Sequence, residues 1–215
     1  MLLEKYRPKT ALELIGVGSQ IKQLTEFLKS WKKGTALMLT GPTGSGKTLS
    51  IKLIAKDMGL ELLERYASDN RSAKAIKETI VRASHQKSLF FGKKLILIDE
   101  IDLLDSASAI IELIKTSTYP VILIASNPYD KKFLNLRKSC TILKFTKMRY
   151  DIILSFLRKI CTLENIAIKD SSLDQLSKMC NGDIRAALID LEVLRHLKNT
   201  ADLGFREQEE SVFET

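Results

Sequence analysis

The sequence predicts an α/β domain built on a mostly parallel sheet, followed by a small all-helical domain. Three observations predict it. Near-continuous aliphatic runs alternate with segments of helical period through residues 1–147. One of those runs leads directly into a glycine-rich loop, Gly41 to Thr48, which opens a helix. From Arg149 onward the runs stop and only helical spacing remains.

In chain order, Ala36-Leu37-Met38-Leu39-Thr40 is a short apolar strand, and Leu49 to Met58 carries Ile51, Ile54, Ala55 and Met58 at helical spacing. Leu60 to Leu63, Leu95-Ile96-Leu97-Ile98, Val121-Ile122-Leu123-Ile124-Ala125 and Ile142-Leu143-Lys144-Phe145 read as further strands separated by helices. Almost unbroken Leu, Ile and Val in a strand imply burial on both faces, as in a parallel sheet covered by helices. Past a boundary near residues 146–150, Ile152, Ile153, Phe156, Leu157 and Ile160 mark one amphipathic helix. Leu173, Leu176 and Met179 mark a second, and Ile184, Leu188, Leu191 and Leu194 a third. Asn181-Gly182 ends the second of these helices and Asp183 caps the third. The expected organisation is an α/β domain over 1–147, a helical domain over 148–203 and an acidic tail over 204–215. In that tail Glu207, Glu209 and Glu210 lie on a solvated or frayed helix.

Composition narrows the class. A chain of 215 residues can build one good-sized core or two small ones. No apolar run reaches membrane-spanning length and the start does not resemble a secretory signal, so a soluble, cytoplasmic location is expected, nuclear if the source is a eukaryote. Cys140, Cys161 and Cys180 are too few and too scattered for a zinc site, and their odd number argues against a disulfide framework. They read as buried or partly buried thiols. His85 and His196 stand alone and read as structural or solvated. The excess of 34 basic over 26 acidic side chains favours an anionic partner beyond a nucleotide, but lysine-rich surfaces are common without one and no recognition helix or zinc finger is evident.

The chemistry is concentrated in two motifs. Gly41-Pro42-Thr43-Gly44-Ser45-Gly46-Lys47-Thr48 follows the pattern GxxxxGK[ST], whose tight turn aims consecutive backbone N–H groups at a polyphosphate. Lys47 is placed to reach the β- and γ-phosphates and the Thr48 hydroxyl to ligate Mg²⁺. Asp99, after four aliphatic residues, emerges at the C-terminal end of a strand, where open α/β sheets bind ligands, and can organise Mg²⁺ through its water shell. Glu100 is placed to orient the attacking water and accept its proton. Asp102 reads as a helix cap or a solvated acid rather than a third catalytic group.

A phosphate-loop α/β domain followed by a helical lid resembles the AAA+ class of ATPases, and further stretches narrow the resemblance. Glu4-Lys5-Tyr6-Arg7-Pro8-Lys9, Ala67-Ser68-Asp69-Asn70-Arg71 and Gly182-Asp183-Ile184-Arg185 are similar to motifs of replication factor C clamp-loader subunits, as is Ile124-Ala125-Ser126-Asn127 after its strand. These stretches run in the family's order from residue 4 to residue 185, and together they look most like the archaeal large-subunit type. The resemblance implies an ATPase with ATP and Mg²⁺ as cofactors. It places Tyr6, Arg7 and Pro8 along one wall of the adenine pocket, makes Asn127 the sensor at the tip of its strand, and makes Arg185 the lid cation that reaches the β/γ-phosphates. The implied partners are clamp-loader small subunits, a ring-shaped sliding clamp and primer-template DNA, with no membrane. Another DNA-associated AAA+ task, or a clamp-binding scaffold with little hydrolysis, are the alternatives.

The departures from the family's pattern are informative. Small subunits end the ATPase domain with Ser-Arg-Cys, whose arginine enters a neighbour's site, whereas this chain reads Lys138-Ser139-Cys140 with Arg137 out of step. That absence is expected of a large subunit, and it implies slow hydrolysis until a small subunit supplies the arginine. Tyr66 stands where the family places Asn, which bears on any switch restraining Glu100. Leu89, Phe90 and Phe91 offer an apolar element for a clamp, with core packing as the competing reading. Arg71, Lys74, Lys77 and Arg82 are candidates for DNA phosphates or for a solvated helix face. The family's helical collar has no counterpart here, so the chain reads as a fragment or an unusually short subunit.

Overall fold

A computed structural model describes residues 1–67, 93–104 and 107–196. The expectations for Ser68 to Arg71, Lys74, Lys77, Arg82, His85, Gln86 to Phe91 and the tail 204–215 therefore lie outside the described residues.

The chain opens with a short helix, α1 (Leu2–Lys5), followed by α2 (Gly18–Ser30), β1 (Ala36–Thr40) and α3 (Lys47–Asp57). Then come β2 (Glu61–Tyr66), β3 (Lys94–Asp99), α4 (Ser108–Thr116), β4 (Val121–Ala125), α5 (Leu134–Arg137) and β5 (Cys140–Lys144). Helices α6 (Tyr150–Glu164), α7 (Asp170–Met179) and α8 (Ile184–His196) complete the described part. Five strands form one sheet in the order β2-β3-β4-β1-β5, and every pairing is parallel. Each expected strand is present, but β2 extends beyond Leu63 to Tyr66 and β5 begins earlier, at Cys140. Both shifts fall on edge strands, where polar residues such as Glu64, Arg65 and Thr141 continue the ladder beyond the apolar run that signals it.

Alternation along the central strands explains the two-sided core. Ala36, Met38, Ile96, Ile98, Val121 and Leu123 face one side and pack with Ile110, Leu113 and Ile114 of α4 and with Phe133 and Leu136. Leu37, Leu39, Leu95, Leu97, Ile122 and Ile124 face the other and pack with Leu24 and Leu28 of α2 and Ile51, Leu53 and Ile54 of α3. Strands buried on both faces need apolar residues at every position, which is why they read as unbroken runs.

A separate cluster holds the helical domain together: Ile153, Leu157 and Ile160 of α6, Leu173 and Leu176 of α7, and Ala187, Leu188, Leu191 and Leu194 of α8. Leu2 belongs to this cluster, at 2 % exposed, and Leu3 and Tyr6 pack against it. The N-terminal helix is thus covered by the helical domain although the whole sheet lies between them in sequence. The Leu2 N–H donates to Glu192 of α8, and Tyr6 Oη donates to Glu164 Oε1 at 2.6 Å. Glu164 also pairs with Lys5 at 2.6 Å and faces Arg195 at 3.9 Å, so one carboxylate gathers the start of the chain and the last described helix.

No helix among the described residues is long and apolar enough to cross a membrane.

Candidate functional site

Because all strands are parallel, their C-terminal ends line one edge of the sheet. Thr40 is in register with Ala125 and Lys144, and Tyr66 with Asp99. Three loops of chemical interest therefore leave from one place: Gly41 to Gly46 after β1, Glu100 after β3, and Ser126-Asn127 after β4. Strand β4 lies directly between β1 and β3, so Asn127 stands between the glycine loop and the acidic strand end.

Gly46 caps α3 in the left-handed region (φ 89°), and its carbonyl accepts from Ser50 N at 2.8 Å and Ser50 Oγ at 2.7 Å. The loop is braced from within by Ser45 Oγ, which donates to the Pro42 carbonyl at 2.8 Å. It cannot carry side chains at two points. A Cβ on Gly41 would lie 2.1 Å from the Phe145 carbonyl oxygen, and one on Gly44 (φ +68°) would lie 2.1 Å from Asp183 Cγ. Gly41 and Gly44 are thus required both by dihedral angle and by what passes close to the loop, whereas Gly46 is required by its dihedral angle alone. Lys47 folds back so that Nζ donates to the carbonyls of Gly41 and Pro42, each at 2.7 Å. Burial pushes the Lys47 ammonium below its ordinary value, opposed by the nearby Asp99 and Asp102 carboxylates.

The second half of the site is built on β3. Asp99 is buried at 7 % exposed, and its two oxygens are divided: Oδ2 accepts from Thr48 Oγ1 at 2.9 Å and Oδ1 from Glu100 N at 2.8 Å. Glu100 is exposed and adopts φ 57°, a left-handed conformation uncommon for a non-glycine residue, which turns the chain sharply at the sheet edge. Hydroxyl and carboxylate oxygens are the donors Mg²⁺ takes, and it commonly uses one or two from protein together with phosphate oxygens and water. The pair Thr48 and Asp99 fits that requirement. Among the described residues no group of three or more His, Cys, Asp or Glu side chains could hold a metal ion.

Asp102 proves to be neither a helix cap nor simply solvated. It lies in a short 3₁₀ turn, Ile101–Leu103, and its carboxylate accepts from Ser126 N at 2.6 Å and Asn127 N at 3.2 Å. It therefore pins the tip of β4, and Asn127 with it, to the acidic loop. Sequence spacing hid this role because the partners are 24 and 25 residues away. Asn127 is exposed, and its Oδ1 accepts from Tyr129 N at 3.0 Å, forming an Asx turn. Tyr66 Oη donates to Glu64 Oε1 at 2.9 Å, and this bond to a carboxylate is the main reason its phenol is held above the ordinary value. Tyr66 is thus tied to its own strand rather than to Glu100.

The residues expected to meet the nucleotide from the far side are carried by the helical domain. Arg185 is the second residue of α8 and is exposed. The capping expectation for Asp183 holds: Oδ1 accepts from Arg185 N at 2.8 Å and Ala186 N at 3.1 Å. Tyr6 is held by Glu164, with Arg7 exposed and Pro8 half-buried beside it. That hydrogen bond, with burial, raises the Tyr6 phenol above its ordinary value. Arg137, at the end of α5, lies 5.3 Å from the centroid of the Tyr129 ring. The cysteines are free, and burial pushes the half-buried Cys140 thiol up to about 12, so it is not a nucleophile at neutral pH.

Comparison with known proteins agrees with this geometry. Residues 37–140 match the ATPase family associated with various cellular activities (AAA), and residues 155–195 match the RCF1/5-like, AAA+ ATPase lid domain. Among similar proteins, the replication factor C large subunit of Nanoarchaeum equitans is 37% identical over 229 residues, covering 99% of this chain and 53% of that protein. The replication factor C large subunit of Thermofilum pendens is 34% identical over 228 residues, covering 98% of this chain and 55% of its own. That of Staphylothermus marinus is 34% identical over 200 residues, covering 88% and 47%. The chain thus spans about half the length of the curated relatives it matches.

Proposed function

Because the chain belongs to the AAA ATPase family and carries an RCF1/5-like lid, we propose that it is the ATPase module of a sliding-clamp loader of the replication factor C large-subunit type. The observation that carries the ATPase part is the Thr48 hydroxyl on the buried Asp99 carboxylate, directly beneath the glycine loop at the C-terminal edge of a parallel sheet. That juxtaposition gives a polyphosphate and its metal one common site.

In this reading the loop N–H groups of Gly41, Thr43, Gly44, Ser45, Gly46, Lys47 and Thr48 hold the phosphates, while Pro42, which has no N–H, shapes the turn. Lys47 exchanges its two carbonyl acceptors for β- and γ-phosphate oxygens. Thr48 and Asp99 would hold Mg²⁺, which would supply positive charge against those oxygens. Glu100 accepts the proton of the attacking water, Asn127 orients that water or the γ-phosphate, and Asp102 holds Asn127 in place. Tyr6, Arg7 and Pro8 line the base, and Arg185 pairs with the terminal phosphates through its planar fork. ATP binding orders an assembly with small subunits, which opens the clamp and places it on primer-template DNA, and hydrolysis releases both.

Lys138 occupies the position before Ser139-Cys140, and Arg137 is engaged with Tyr129, so the chain is expected to receive rather than donate a catalytic arginine. A trans arginine contributes about 10³ to 10⁵ in rate in related phosphoryl-transfer enzymes. Single-turnover hydrolysis of ATP, measured with and without arginine-bearing small subunits, tests the proposal. Stimulation that disappears in Lys47→Ala and Glu100→Gln supports it. Absence of stimulation, with ATP still bound, leaves a nucleotide-stabilised scaffold. A pull-down with a sliding clamp separates clamp loading from another DNA-associated task.

A further inference from the structure

The turn Asn181-Gly182-Asp183 is wedged between the Lys147-Met148 junction of the two domains and the phosphate loop. On one side, Lys147 Nζ donates to Asn181 Oδ1 at 2.9 Å, and a Cβ on Gly182 would lie 2.9 Å from Lys147 Cβ and 3.0 Å from Met148 N. On the other, the Asp183 carboxylate fills the space over Gly44, in the middle of the phosphate loop. A Cβ there would lie 2.2 and 2.4 Å from its two oxygens.

This carboxylate is not free to swing aside. Its Oδ1 holds the Arg185 and Ala186 N–H groups, so leaving Gly44 without moving the lid means uncapping α8. Helix α8 is fixed in turn through Ala187, Leu188, Leu191 and Leu194 to the rest of the lid core. The loop's own cation is turned the other way, with Lys47 Nζ on the Gly41 and Pro42 carbonyls. An anion thus rests against Gly44, in the middle of the loop whose N–H groups suit a polyphosphate, and two like charges brought together there repel.

We propose that Asp183 is an autoinhibitory latch whose carboxylate competes with the nucleotide's phosphates for the space over Gly44, so that binding requires the lid to lift. The inference rests on the nucleotide-binding reading and deepens it by naming the group through which the lid senses phosphate charge. Asp183 would oppose phosphate entry while its neighbour Arg185 rewards it. The lid responds as one body because Asp183 caps the helix whose first turn carries Arg185. The fraction of molecules with the latch lifted then sets the apparent affinity, since a ligand that binds only that state has its dissociation constant divided by that fraction.

The test uses the full chain and titrates Mg-ATP, ADP and adenosine by calorimetry into wild type, Asp183→Asn and Asp183→Ser. Asn and Ser both cap helices well, so these variants remove the charge and keep the cap. Mg-ATP is expected to bind on the order of tenfold more tightly to both variants, ADP to gain less, and adenosine to be unchanged. Unchanged or weaker Mg-ATP binding in Asp183→Asn and Asp183→Ser, with thermal stability preserved, overturns the latch and leaves the nucleotide site standing. An equal gain for adenosine also overturns it, because phosphate charge would then play no part. If neither wild type nor variants bind Mg-ATP, the nucleotide-binding reading itself fails.

Discussion

Replacing Gly44 with Ala probes the contact between loop and lid through stability rather than through ligand. Two costs follow from the geometry. At φ +68° a side chain is strained, and an L-residue in the left-handed region costs about 1 kcal/mol or somewhat more. The new methyl also lies 2.1 Å from Asp183 Cγ, so the carboxylate must retreat by roughly 1 Å or more to reach ordinary contact distance. It can retreat only by giving up its hydrogen bonds to Arg185 N and Ala186 N or by lifting the lid, and loss of such a cap costs about 1 kcal/mol. Gly44→Ala should therefore destabilise by about 2 kcal/mol, and Asp183→Ala alone by about 1 kcal/mol. In the double variant the cap is already gone and the methyl has room, so the total should be about 2 kcal/mol rather than about 3, a coupling of about 1 kcal/mol. Urea denaturation followed by far-ultraviolet circular dichroism on the four proteins of the cycle measures it. Additivity within about 0.3 kcal/mol would show that Asp183 and Gly44 do not share space and would refute the geometry.

Thr48→Ala is expected to abolish the Mg²⁺-dependent gain in nucleotide affinity while leaving metal-independent binding in place, measured with a fluorescent ATP analogue with and without chelator. Asp102→Ala removes the acceptor for Ser126 N and Asn127 N, which should cost about 1 kcal/mol or more in stability and lower kcat more than it raises KM, read from steady-state hydrolysis with small subunits present. Hydrogen bonds from Lys5 first and Tyr6 second hold the Glu164 carboxyl below its ordinary value. Its contribution to docking of α1 is therefore complete above the ordinary carboxylate range and fades as pH falls through the lowered value. Proteolytic cleavage near residue 6 should accelerate on acidification in wild type, and in Glu164→Gln should be faster at neutral pH and rise less steeply across that window, the remaining slope coming from Glu192, which holds the Leu2 N–H and is also lowered by it.

The parts of the molecule legible from sequence are those whose signal is local. Four aliphatic residues before Asp99 can only be comfortable in a strand buried on both faces, and the GxxxxGK[ST] stretch specifies a loop by the residues the loop itself needs. The lid helices are legible for the same reason, since Ile184, Leu188, Leu191 and Leu194 declare their buried stripe within one helix. Features that depend on contacts distant in sequence stayed hidden. Two leucines at positions 2 and 3 give too short a pattern to show that they pack against a helix some 190 residues later. Glu164 looks like any polar residue at a helix end, yet it gathers Lys5, Tyr6 and Arg195. Asp183 announces itself as a cap, and nothing local reveals that the same carboxylate closes over Gly44.

The packing of α1 changes how a nucleotide would couple the two domains. Tyr6 is anchored to Glu164 of α6, and Leu2 to α8, so the segment proposed to line the base is part of the lid body. Arg185 and Asp183 belong to that body as well. The glycine loop, Thr48, Asp99 and Asn127 belong to the sheet. Under the proposed function ATP therefore lies across two separately packed cores, with its base on the lid side, its metal on the sheet side and its terminal phosphate touched by both. A ligand can shift the angle between them only through contacts that differ between open and closed arrangements. Adenosine supplies the base contact alone and has no charge with which to displace Asp183. ADP brings less charge against it and offers Arg185 less. Only the full triphosphate does both, which makes the γ-phosphate the part of the nucleotide that decides where the lid comes to rest.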